Sequence, residues 1–236
     1  MVKPTAILTR DGSTTLLDPC TGSTYHSIHG ALTESKLIYI TYGLNHMAKL
    51  QDDQIHILEL GFGTGINAWL SWITSEEKQF HIHYTTVDKF PLEEDVWNDL
   101  PYCNPTLYLG SQKFHAIHSV PWNQNVQLDD HFGLKKIYAD WQNYQQLAGS
   151  MDVVFYDAFG PGSQSELWSQ ASLQKSYDAL KEGGIWLSYC AQGEVKRKLR
   201  NIGFQLEPLP GPPGKREVTR AIKTAKTYYK SLALFI

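Results

Sequence analysis

The chain has 236 residues, 42% of them apolar and 12% aromatic, enough for one α/β domain with an elaboration and a real core. No apolar run approaches the roughly 20 residues of a membrane span, and residues 1–5 lack the charged-then-apolar pattern of a leader. Cys20, Cys103 and Cys190 lie far apart with no paired spacing, so reduced thiols in a cytoplasmic protein are expected, without a metal or membrane partner. The net charge of -3 hides an asymmetry: residues 1–189 hold 11 Lys+Arg against 21 Asp+Glu, and residues 190–236 hold 10 against 3. A basic tail on an acidic body suits a polyanionic partner or a solvated basic face.

In chain order, two apolar stretches (6–9 and 14–17) flank the turn-rich residues 10–13, which predicts a hairpin. Residues 32–50 have helical spacing, with Leu37, Ile40, Leu44 and Met47 on one side and Thr33 as a possible cap. This hairpin-and-helix extension, residues 1–50, is expected to pack on a core domain spanning 51–236. Strands are predicted at 55–60, 81–87, 136–139, 151–156, 184–189, 204–209 and 229–236, and helices at 66–74, 92–100, 112–118, 166–180 and 195–202. Strands alternating with helices imply a Rossmann-like, mostly parallel sheet with helices on both faces. The last two strands have no helix between them, which predicts an antiparallel hairpin at the end of the sheet.

The segment Glu59-Leu60-Gly61-Phe62-Gly63-Thr64-Gly65-Ile66-Asn67 joins the first core strand to the first core helix. Gly61, Gly63 and Gly65 allow a tight turn and a close approach of backbone to ligand. Thr64 and the helix start behind it offer N–H groups to a carboxylate such as the methionyl end of S-adenosylmethionine. Glu59 stands where a dinucleotide-binding loop usually has an apolar residue, and this placement favours S-adenosylmethionine. Alone, the glycines also fit an ordinary βα turn.

Acids close the following strands. Asp88, 27 residues past Gly61, can accept both hydroxyls of a ribose or cap a helix. Asp140 can accept the adenine amine, with the Trp141 indole against the purine, or the pair can form a surface turn. Asp157-Ala158-Phe159-Gly160-Pro161 ends an apolar strand. A carboxylate at Asp157 can orient an amine, help remove its proton and offset the charge that grows on nitrogen. Phe159 can stack on a planar substrate ring, with Gly160-Pro161 fixing the loop.

Together with Val87-Asp88-Lys89-Phe90-Pro91-Leu92, the 189–200 and 210–218 segments, Asp11-Gly12-Ser13, Tyr25-His26-Ser27, Gly30 and Glu34, these motifs resemble the MnmD/MnmC methyltransferases of tRNA wobble-uridine modification. The resemblance covers nearly the whole chain in motif order. It implies a class I S-adenosylmethionine-dependent methyltransferase fold and methylation of the primary amine of 5-aminomethyl-(2-thio)uridine in the tRNA anticodon loop.

Carried over by motif, it implies cofactor contacts from Glu59, Gly61, Gly63, Thr64, Gly65, Asn67, Asp88, Lys89, Asp140 and Trp141, and catalysis by Asp157. Substrate contacts would come from Tyr25, Ser27, Glu34, Phe159, Pro161, Lys215 and Arg216. His26 stands where the family more often has an aromatic. Bifunctional members carry an FAD-dependent oxidase domain. With the sequence ending at Ile236, a separate FAD-dependent or other enzyme is expected to supply the aminomethyl precursor. A small-molecule amine methyltransferase or aminopropyltransferase shares the same sheet and acidic strand end.

Lys196, Arg197, Lys198, Arg200, Lys215, Arg216, Arg220 and Lys223 are candidates to receive phosphates that flank a splayed-out base. His81, His83, His115 and His118 have no carboxylate or cysteine nearby in sequence to complete a metal set, and are expected to be core or surface histidines.

Overall fold

The computed structural model describes residues 2–50 and 53–224. β1 (Thr5–Leu8) and β2 (Thr14–Leu17) pair antiparallel as expected. One continuous helix follows, made of α1 (Ala31–Ser35), a π-helical stretch (Lys36–Leu44) and α2 (Asn45–Met47). Thr33 does not cap it. Gly30 precedes the first turn, and the hairpin supplies the cap instead. Asp11 Oδ2 accepts from Thr33 N (3.0 Å) and Thr33 Oγ1 (2.7 Å), and Ser13 Oγ accepts from Ala31 N (3.1 Å) and Leu32 N (3.2 Å). Burial opposes ionised Asp11, but hydrogen bonds from Ser13, Thr9 and Thr33 outweigh it and hold the carboxyl well below the usual range. The wider π winding also shifts the buried side. Ile38, Tyr39, Ile40 and Leu44 are buried, whereas Leu37 is only half-buried.

The core alternates: β3 (Gln54–Leu60), α3 (Ile66–Lys78), β4 (His81–Asp88), α4 (Glu94–Trp97), α5 (Ser111–Ser119), β5 (Asn125–Asp129), β6 (Phe132–Tyr138), β7 (Met151–Tyr156), α6 (Gln170–Ala179), β8 (Leu180–Ser188), α7 (Gly193–Ile202), β9 (Phe204–Pro210) and β10 (Glu217–Lys223). The eight strands β3–β10 form one sheet in the order β5-β6-β4-β3-β7-β8-β10-β9. β6, β4, β3, β7 and β8 run parallel. β5 and β10 run antiparallel to their neighbours.

Side chains of β7 alternate between two apolar layers. Val153 and Phe155 join Tyr39, Trp69 and Trp72 on one face; Val154 and Tyr156 join Trp168, Leu173 and Leu199 on the other. Burial on both faces explains why β3 and β7 read as nearly continuous apolar runs. The chain builds outward from β3 to β6, then returns to β7 beside β3. That reversal opens a crevice at the carboxyl ends of β3, β4 and β7.

Several expected boundaries move. The predicted strand at 229–236 lies outside the described residues, and the antiparallel strand is β10. The predicted helix at 92–100 shrinks to α4, followed by a 3-10 turn at Pro101–Cys103. The predicted helix at 166–180 breaks where Ser169 Oγ accepts from Ser172 N at 3.2 Å, which starts α6 afresh after a 3-10 turn at Ser165–Trp168. β5 has no counterpart among the predicted strands. The described residues contain no helix long and apolar enough to cross a membrane.

Candidate active site

Gly61 ties three strand ends together. Its N–H donates to Val87 O at 2.9 Å, and Asp157 N donates to Leu60 O at 3.1 Å. Gly61 has φ +91°, and a Cβ there would lie 2.9 Å from Asp157 O. Only glycine lets the β3–α3 turn pass so close to the end of β7.

The crevice is walled by Gly61, Phe62, Gly63, Asp88, Asp140 and Trp141, with Asp157 and Phe159 at one end. Asp88 Oδ2 accepts from Gly63 N at 3.0 Å and Oδ1 from Phe90 N at 2.8 Å, which aims the carboxylate along the glycine loop. Burial pushes this carboxyl up, while backbone N–H groups pull the other way. Each oxygen keeps a lone pair, so the group can still accept from a diol. Asp140 accepts from Lys89 Nζ (2.8 Å) and Gln142 N (2.9 Å), and Lys89 is the main cause of its lowered carboxyl pKa. Trp141 is buried, with its indole N–H on Ser172 O at 3.3 Å.

Asp157 lies at the other end. Its Oδ1 accepts from Tyr39 OH at 2.7 Å and its Oδ2 from Asn67 Nδ2 at 2.8 Å. The same Asn67 nitrogen donates to Glu59 Oε1 at 3.1 Å. Burial raises Asp157; His26, Tyr39 and Asn67 oppose this, and Glu34 adds to it. Glu59 is pushed up to about 8, by burial first and then by the Asp157 charge. His26 is buried and held below its ordinary range by that burial, against the pull of Asp157 and Glu34. Its Nε2 meets Thr64 Oγ1 at 2.6 Å.

A second cleft adjoins the first and shares Tyr25, His26, Ala158 and Phe159 with it. Tyr25 meets Phe159 edge to face at 5.0 Å. Glu34, Tyr189 and Lys215 form its far wall. Gln164 Oε1 accepts from Phe159 N at 3.1 Å and steadies the loop after Asp157.

The expected site residues therefore separate by position. Gly61, Gly63, Asp88, Lys89, Asp140, Trp141 and Asp157 line the first cleft; Ser27, Glu34 and Lys215 line the second; Tyr25 and Phe159 line both. Glu59, Thr64, Gly65 and Asn67 are buried and line neither cleft, and neither cleft is lined by Pro161 or Arg216. Tyr39 joins the site without a sequence signal, because it lies within an apolar helical run.

The basic residues also divide. Lys196 pairs with Glu217, Lys198 with Glu194, Lys215 with Glu34 and Arg220 with Glu207. Lys223 donates to Tyr177 O and Leu180 O. Arg197, Arg200 and Arg216 stay exposed. Of the histidines, His118 is buried with its Nε2 3.1 Å from Thr64 O, and burial brings it down to about 3. His83 stacks on His56 at 4.7 Å, and His81 contacts His131 at 5.2 Å.

Residues 111–224 match the model of a family described as S-adenosyl-L-methionine-dependent methyltransferase. Three relatives are named tRNA 5-methylaminomethyl-2-thiouridine biosynthesis bifunctional protein MnmC. The protein of Marinomonas sp. (strain MWYL1) is 28% identical over 73% of this chain and 27% of its own length. That of Aromatoleum aromaticum is 29% identical over 86% and 33%, and that of Burkholderia pseudomallei 27% over 92% and 35%. The chain thus spans about a third of the length of these relatives. Among solved structures, MnmC2 from Aquifex aeolicus superposes with a TM-score of 0.76 at 25% identity, covering 95% of this chain and 71% of that one. Spermidine synthase from Thermotoga maritima shares the fold alone, with a TM-score of 0.52 at 14% identity, covering 90% and 69%.

Proposed function

Because this chain is an S-adenosyl-L-methionine-dependent methyltransferase domain of the MnmC type, we propose that it methylates the primary amine of 5-aminomethyl-(2-thio)uridine at the wobble position of tRNA. The product is the 5-methylaminomethyl form that the relatives' names contain. The observation that carries this reading is that Asp157 lines the first cleft, suited to an adenosyl group, directly before Ala158 and Phe159, which line both that cleft and the second, aromatic-walled one.

The cofactor fits the donor set of the first cleft. Asp88 would accept the ribose hydroxyls, Asp140 the adenine amine beside Trp141, and the tight passage at Gly61 leaves the methionyl end room along the loop. When bound, S-adenosylmethionine supplies an electrophilic methyl group on a sulfonium.

The remaining work belongs to the chain. An alkylamine has a pKa near ~10.4 and arrives as an ammonium, whose nitrogen has no free lone pair. Asp157 holds that ammonium by charge and hydrogen bonding and accepts one of its protons, leaving the nitrogen neutral. Burial favours this transfer because it raises the proton affinity of the carboxyl. Tyr39 and Asn67 fix the carboxylate from behind, so its free lone pairs face the cleft. The product nitrogen is again cationic, and Asp157 releases its proton to solvent before the next turnover. Most of the acceleration comes from holding nitrogen and methyl in line. A wobble base is unpaired and can be splayed into the second cleft at little cost. Tyr25 and Phe159, in contact with each other, would form one aromatic wall beside its ring, with Arg197, Arg200 and Arg216 outside to meet phosphates.

The test is incubation with labelled S-adenosylmethionine and tRNA from a strain lacking the final methyl group, followed by nucleoside analysis. Label in 5-methylaminomethyl-(2-thio)uridine is expected. Label elsewhere, or none, would overturn the proposal.

A further inference from the structure

We propose that Lys215 reads the C4 carbonyl of the acceptor pyrimidine and makes the site select a uracil-type base over a cytosine-type base, rather than anchoring a phosphate. The assignment rests on the function proposed above and deepens it.

The charge of Lys215 is already answered. Its ammonium pairs with Glu34, whose side chain is only 5% exposed. Glu34 is itself fixed, because its Oε1 accepts from Ser27 N at 2.9 Å. A phosphate here would bring a second anion against a buried carboxylate, a poor arrangement. A neutral carbonyl oxygen would not.

The ammonium is also aimed. Nζ lies 4.2 Å from the centre of the Tyr189 ring, and Tyr189 OH donates to Ala158 O at 2.9 Å, next to Asp157. Of the three N–H groups on Lys215, one serves Glu34 and one faces the Tyr189 ring, which leaves one for a ligand. The loop that carries Lys215 is tightly built. Gly211 N donates to Arg216 O at 3.1 Å, and Lys215 N to Pro212 O at 2.9 Å. Gly214, at φ +87°, lies so close to His29 that a Cβ would fall 2.1 Å from its ring.

The ring chemistry matches. On a pyrimidine, the C5 substituent and the C4 group are neighbours. With its C5 aminomethyl group at Asp157, a base seated in the second cleft can turn its C4 edge toward Lys215, one of the residues lining that cleft. Uracil presents an acceptor there and cytosine an amine donor. A lysine N–H therefore satisfies the first and opposes the second.

The experiment uses anticodon stem-loop RNAs carrying 5-aminomethyluridine or 5-aminomethylcytidine at the wobble position. kcat/KM is measured for the wild-type protein, Lys215→Met and Lys215→Gln at two salt concentrations. The wild-type protein should prefer the uridine RNA by roughly 10- to 100-fold. Lys215→Met should lose at least about tenfold on the uridine RNA, change little on the cytidine RNA and keep the wild-type salt dependence. Lys215→Gln, which retains an N–H donor, should recover part of the preference.

A uridine preference that survives in Lys215→Met would overturn the assignment alone. So would a salt dependence weakened as if one phosphate ligand had been removed. Failure of the wild-type protein to methylate either RNA would overturn the functional reading and this assignment with it.

Discussion

Glu59 and Asp157 are joined through one donor: Asn67 Nδ2 lies 3.1 Å from a Glu59 oxygen and 2.8 Å from an Asp157 oxygen. Two acids this close inside the protein do not both ionise readily. Asp157 has the better support, with Tyr39 as a second donor. Around Glu59, Asn67 and the buried hydroxyls of Thr86 and Tyr84 only partly offset the effect of burial. Glu59, pushed up to about 8, keeps its proton near neutral pH, and the better-supported Asp157 is the acid of the pair favoured to carry charge. The residue ahead of the glycine loop is thus linked to Asp157 through Asn67 and lines neither cleft.

This pairing makes stability depend on pH. Glu59 rises from an ordinary 4.5 to about 8 on folding, so the folded state holds a proton that the unfolded chain has lost. Its contribution is full below the unfolded value and declines as pH rises toward the folded one. The slope is at most about 1.4 kcal/mol per pH unit. Glu59→Gln should flatten the fall in stability between pH 5 and pH 8. Urea unfolding at both pH values checks this, and an unchanged difference between them would count against the shared proton.

Asp88→Ala should weaken S-adenosylmethionine binding by about 10- to 100-fold, the effect expected when hydrogen bonds to a charged group are removed. Calorimetry gives the affinity directly. An unchanged Kd would remove Asp88 from the ribose site.

Gly61→Ala should destabilise the domain by about 1–3 kcal/mol, because φ +91° and the closeness of Asp157 O both exclude a side chain. It should also reduce methyl transfer by displacing the end of β7. A variant as stable and active as the wild-type protein would refute the close approach as the reason for glycine.

Replacing Arg197 and Arg216 together with alanine should raise the KM for tRNA and reduce its salt slope by about one for each phosphate no longer neutralised. Their exposed guanidinium groups distinguish them from Lys196, Lys198 and Arg220, which are held in ion pairs and whose substitution should leave the slope unchanged. Equal slopes in the wild-type and double variants would place tRNA phosphates elsewhere.

Much of this site is legible in the sequence because each acid ends an apolar strand. Glu59, Asp88 and Asp157 follow runs of buried residues, and period and polarity change together at those points. Other features leave weaker marks. β10 carries Arg220 and Lys223 in a strand flanked on both sides by others. Their charges are answered by Glu207 and by the carbonyls of Tyr177 and Leu180, partners distant in sequence. β5 is an edge strand, with little burial to impose a pattern. Tyr39 is hidden because the π winding changes which residues of the helix face inward. The basic tail misleads in one respect: Lys215 reads as a phosphate ligand, yet Glu34, 181 residues away, neutralises it.

The central claim is that Asp157 positions and deprotonates the acceptor amine while leaving the cofactor site intact. Single-turnover transfer to a stem-loop RNA carrying 5-aminomethyluridine, with Asp157→Ala set beside the wild-type protein and both saturated with S-adenosylmethionine, tests it most directly. The variant should lose at least about 100-fold in rate, the lower range for a general base, while its cofactor Kd stays within about tenfold of wild type. A rate within a few-fold of wild type, with the same affinity for cofactor, would contradict this role for Asp157.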